Sequence, residues 1–153
     1  SIIIINFIYF SKNMSRYNYD RYDRYGYGYN RYDSFKADEN KMKRDFMNYA
    51  NGKTKKIDEN GYEKMGKTLG IDIYTDIFMT YFVYKCEAKQ MEFITESEYI
   101  KGLKALRCNT LEEVKKKIID IRGELLNINT EDFRNFILYY YHKTRIYFQN
   151  QQF

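Results

Sequence analysis

Residues Ile94–Ile118 read ITESEYIKGLKALRCNTLEEVKKKI and carry the same helix-start device twice. In Thr95-Glu96-Ser97-Glu98 the Thr side chain can accept the Glu98 amide while the Glu98 carboxylate reaches back to the Thr95 amide. Thr110-Leu111-Glu112-Glu113 repeats it. The first box predicts a helix over Glu96–Leu106. The second starts another, with Leu111, Val114, Ile118, Ile121 and Leu125 down one face.

Helical signals continue on both sides. Upstream, Met42, Phe46 and Tyr49 fall at i, i+4 and i+7 before an Asn51-Gly52 stop, followed by the lysines Lys53, Lys55 and Lys56. Gly61–Leu69 predicts a helix ending at Gly70, and Thr75–Ala88 another that sets Phe78, Tyr81 and Phe82 on one stripe. Downstream, Phe133, Phe136, Ile137, Tyr140, Tyr141 and Thr144 outline a last helix after Thr130. The 153 residues include no Pro and only 8 Gly, which suits helices joined by short polar turns. The expected fold is an all-α bundle of about six helices.

Residues 1–37 differ in composition. Ser1–Phe10, SIIIINFIYF, is strongly apolar but far short of the ~20 residues that span a bilayer. It has neither the basic region nor the small-residue site of a secretory signal, and Met14, the first Met, stands as a candidate initiator. From Met14 to Phe35, tyrosines at 17, 19, 22, 25, 27, 29 and 32 alternate with Arg, Asn, Asp and Gly at a spacing that fits neither helix nor strand. Residues 1–37 are therefore expected to be a disordered Tyr/Arg-rich low-complexity tail and 38–153 the folded part. Such a tail could stack on nucleic acid or self-associate, which is the alternative functional reading. The net charge of +5 is split, +2 in residues 1–35 and +3 beyond, and does not itself argue for nucleic acid.

Catalytic chemistry finds little to use. The single histidine, His142, has no second His and no nucleophile beside it in sequence, and there is no phosphate loop or zinc pattern. Cys86 and Cys108 fit reduced thiols of a cytoplasmic or nuclear protein. The Lys56–Gly61 segment invites comparison with a calcium loop. Setting Gly61 at the sixth position puts Lys56 first and Lys67 twelfth, where carboxylates are needed. A second frame ending on Glu98 has Lys89 third, Met91 fifth and Glu92 where Gly belongs. Both are expected to be EF-hand-like helix–loop–helix units lacking calcium ligands. No enzyme activity, cofactor or metal is expected.

Several motifs occur in a set order: a Gly at 61, LGID at Leu69–Asp72, VYKCEAKQM at Val83–Met91, ITESEYIKGLKAL at Ile94–Leu106, RCNTLEEVKKKI at Arg107–Ile118 and DFRNFILYYY at Asp132–Tyr141. In order and spacing they resemble the defective-in-cullin-neddylation family and its potentiating-neddylation domain. Tyr84 stands where that family usually has Trp, and Ile73 where it has Pro.

The resemblance implies a non-enzymatic adaptor that promotes cullin neddylation, with 38–153 as the N-terminal portion of the domain. In the family an apolar pocket receives the N-acetylated N-terminal Met of the neddylation-conjugating enzyme. Matched by motif, its walls here are Tyr62, Met79, Phe82, Met91 and Ile94. Acetylation removes the terminal charge, so a Met side chain can be buried without stranding an ammonium group. The same five residues also suit plain interhelical core. The family's acidic cullin-binding patch lies further along its domain and has no counterpart before Phe153. The implied partners are the conjugating enzyme and a cullin, with no membrane and no nucleic acid.

Overall fold

A computed structural model describes residues 1–13 and 34–150. Its described residues form eight helices: α1 (Ile2–Asn13), α2 (Glu39–Met47), α3 (Glu59–Leu69), α4 (Phe78–Lys85), α5 (Glu96–Ala105), α6 (Leu111–Lys116), α7 (Ile118–Leu125) and α8 (Glu131–Asn150). The fold is all-α, as the periodicity predicts.

Helix starts follow the sequence closely. Asp38 caps α2 through the Lys41 amide and Asp58 caps α3 through the Gly61 amide. Thr95 and Glu98 complete the reciprocal box, with Thr95 Oγ1 accepting Glu98 N at 3.3 Å and Glu98 Oε1 accepting Thr95 N at 2.9 Å. At α6 only half the box forms. Thr110 accepts the Glu113 amide, but the Glu113 carboxylate accepts from Asn109 N instead, at 2.6 Å.

Three expectations change. The single helix drawn through Leu111 and Leu125 is broken at Lys117, whose φ of −102° and ψ of 4° end α6 and start α7. A repeat averaging 3.5 residues drifts around a straight helix of 3.6, and the break lets Leu111 and Val114 on one piece and Ile121 and Leu125 on the other all reach the core.

The second change concerns residues 1–13, which are helical and packed instead of forming part of a tail. Ile3, Ile4 and Phe10 are fully buried, and α1 packs on α4 and α8. A helix apolar nearly all round is stable only when covered, and the aromatics of α8 supply the cover. Phe7 stacks on Tyr140 with centroids 4.8 Å apart and meets Phe136 edge-on at 6.3 Å. The Tyr/Arg tract itself, at 14–33, lies outside the described residues.

The expected EF-hand-like units are not evident as such. Their two loops meet in one antiparallel bridge, with Ile57 N donating to Ile94 O at 2.9 Å and Ile94 N to Ile57 O at 2.8 Å. Around this bridge α5 packs on α2 and α4, and α3 packs on α6. Gly102 makes the α4–α5 approach possible, because a methyl group there would collide with Cys86 Sγ.

Asn6 is the fully buried polar residue of α1. Its Nδ2 donates to Ile73 O at 3.0 Å and Asp76 O at 2.9 Å, and its Oδ1 accepts from Thr80 Oγ1. Asn6→Ala removes the partner of Ile73 O, Asp76 O and Thr80 Oγ1. Its expected cost is about 1–3 kcal/mol, read as a lower midpoint in chemical denaturation; an unchanged midpoint would mean that α1 does not seat at this register.

Candidate functional site

The five residues singled out from the sequence are all buried in the hydrophobic core. Tyr62 lies on α3, Met79 and Phe82 on α4, and Met91 and Ile94 on the α4–α5 connection; Met91 is the least covered, at 5% exposure. Tyr62 Oη donates to Met91 O at 3.2 Å, Phe82 meets the Tyr99 ring at 5.8 Å, and Ile94 forms the bridge to Ile57. All five are covered by the chain's own side chains. An incoming apolar residue would have to displace one of them.

Met91 is the natural one to displace, since it sits on a loop. That loop is tied down by polar groups which sequence reasoning did not find. Tyr139 Oη donates to Ala88 O at 2.5 Å, Lys143 Nζ to Lys89 O at 3.0 Å, and Lys89 N to Glu98 Oε2 at 3.0 Å. α8 therefore reaches across the molecule to hold the loop, a long-range pairing that leaves no local pattern. Phe93 flanks it, half-buried, with Lys56 Nζ 4.0 Å over its ring.

Beside this region Tyr84, Lys85 and Tyr81 converge on Asp132 at the start of α8. Tyr81 Oη donates to Asp132 Oδ2 at 2.8 Å, Lys85 Nζ pairs with Oδ1 at 2.9 Å, and Tyr84 Oη approaches Oδ1 at 3.4 Å. Burial first, then the Asp132 carboxylate, pushes the Tyr84 hydroxyl up to about 12. The same causes raise Tyr81 further. Tyr84, where the related pattern has Trp, thus keeps an aromatic wall and adds a hydroxyl tie.

None of this assembles a reaction centre. His142 is exposed and touches Tyr141 edge-on at 5.9 Å. Cys86 and Cys108 are buried and not disulfide-linked, and burial raises the Cys86 thiol, which opposes thiolate formation. Among the described residues no three of His, Cys, Asp and Glu gather as a metal would require, and no helix is long and apolar enough to cross a membrane.

Comparison with known proteins bears on this helical scaffold. Over 94 residues, covering 61% of this chain, the sequence is 31% identical to DCN1-like protein 5 of Bos taurus and of Homo sapiens, and 30% identical to that of Rattus norvegicus. The chain is related to the DCN1-like family. The matched segment spans 38% of the length of those relatives. No family model matches the chain.

Two outcomes test the local structure. Tyr62→Phe removes the hydroxyl that holds Met91 O and is expected to cost about 1 kcal/mol, with faster amide exchange in residues 88–93 and little change elsewhere. Uniform protection in both proteins would mean that the hydroxyl does not hold the loop. Alkaline unfolding should also be cooperative. Unfolded tyrosines ionise near 10, whereas Tyr62, Tyr81, Tyr84, Tyr99 and Tyr140 are held above it. Stability is thus full below pH 10 and is lost as pH rises through about 12, the Tyr84 value. Tyrosinate absorbance and loss of helical circular dichroism should rise together; full ionisation of the folded state without unfolding would contradict the burial.

Proposed function

We propose that this chain is a non-enzymatic adaptor in cullin neddylation, acting in the cytoplasm or nucleus by holding the neddylation-conjugating enzyme through its N-acetylated N-terminal Met. The observation that carries the reading is the relationship to DCN1-like protein 5 across the α-helical segment. The chemistry agrees with it. An adaptor that holds a charged conjugating enzyme close to a cullin lysine accelerates transfer by raising effective concentration and limiting orientation, so it needs no nucleophile or base of its own.

The guest Met would enter at Tyr62, Met79, Phe82, Met91 and Ile94 by taking the place of the Met91 side chain. One thioether then replaces another in a volume lined by aromatics and aliphatics, where Met packs adaptably. Because Met91 is buried and its loop is held by Tyr62, Tyr139 and Lys143, opening costs affinity. The apparent dissociation constant rises in proportion to the scarcity of the open state.

Titration of the chain with a peptide from the conjugating enzyme's N-terminus, acetylated or with a free amine, tests the proposal by calorimetry. The acetylated form should bind at least about tenfold more tightly, consistent with the cost of burying an ammonium group. Equal affinity, or no binding by either form, would overturn the assignment of this site.

A further inference from the structure

Along one side of the packed α1–α8 pair lies an open groove of about 500 Å³. Phe7 and Ser11 form one wall, and Ile137, Tyr141, Thr144 and Phe148 form the other. On α8 those four are spaced i, i+4, i+7 and i+11, an apolar stripe at helical period. Tyr141 is 56% exposed and Phe148 48% exposed, a high fraction for aromatic side chains lining a groove.

The charges around the groove have one sign. Arg145 lines it, and Lys12 is the neighbour of Ser11 in sequence. α1 contains no acidic residue, and α8 contains none after Asp132. Neither Arg145 nor Lys12 is ion-paired among the described residues.

We infer that this groove docks an amphipathic helical segment of a partner protein, one that carries acidic residues along the edges of its apolar stripe. An apolar stripe at helical period beside the seam of two helices suits the apolar face of a third helix laid along it, and Arg145 in its lining selects acidic flanks and disfavours basic ones. The surface is separate from Met91 and its neighbours, so the inference stands independently of the neddylation reading.

The test uses the chain as it is and two labelled helical peptides of identical Leu/Phe stripe, one flanked by Glu and one by Lys, measured by fluorescence anisotropy. The Glu peptide should bind, weaken as salt rises, and lose at least tenfold in affinity with Arg145→Glu and with Phe148→Ala. Both positions are exposed, so unchanged thermal unfolding of the variants will show that the fold is kept. The Lys peptide should bind at least tenfold more weakly than the Glu peptide. Equal binding of the two peptides, absence of binding, or indifference to both substitutions would overturn the inference. So would sedimentation of the unliganded chain as a dimer that Phe148→Ala dissociates, which would assign the groove to a second copy. Phe148-dependent binding to anionic lipid vesicles in place of the Glu peptide would likewise assign it to a membrane surface.

Discussion

The buried Asp45 carboxylate is the constraint on which the helical arrangement depends. Its Oδ2 accepts the Tyr99 hydroxyl at 2.5 Å and the Leu111 amide at 2.9 Å, so one side chain on α2 fixes both the middle of α5 and the first turn of α6. The Leu111 amide is one of the four that a helix start leaves unsatisfied. A carboxylate is well suited to it, since the N-terminal end of a helix favours negative charge. A buried charge is stable only when it is hydrogen-bonded, and these contacts bring three separate segments to one point. Tyr99 then carries the constraint outward, with its ring set against Phe46, Tyr49 and Phe82.

The same use of tyrosine recurs through the core. Tyr62, Tyr139 and Tyr140 each bury a ring surface and donate the hydroxyl to a backbone carbonyl of another element: Met91, Ala88 and Thr80. Tyrosine combines a large apolar area with one directional bond, so a core with no Trp gains both packing and register from it. The consequence for function is that the loop carrying Met91 is held by side chains of α3 and α8. Its opening is therefore coupled to the helices on either side, while the groove between α1 and α8 is open without rearrangement.

Much of this was legible in the sequence. The all-α class, the starts of α5 and α6, and the Gly70 stop rest on local chemistry: capping side chains, helical periodicity and a glycine that takes a positive φ of 71°. The motif order singled out Tyr62, Met79, Phe82, Met91 and Ile94, all of which are buried, with Tyr62 hydrogen-bonded to Met91 O. Two other helix ends were less visible, because Glu87 and Arg107 take left-handed conformations, at φ of 52° and 57°, without the glycine that usually signals them.

Tertiary structure decided the rest. The run Ile2–Phe10 is rich in β-branched residues with weak helix preference, so only the aromatic face of α8 and the acceptors of residues 73–76 determine that it is a helix and that Asn6 points inward. Whether Met91 lines a cavity or fills one depends on how closely α3, α4 and α5 approach, which residue identity does not encode. The sequence by itself determined which segments are helices with apolar faces, because capping and periodicity act over a few neighbouring residues. The pairing of those faces, and hence which apolar surface is sealed and which is left open, came only from contacts between residues far apart in the chain.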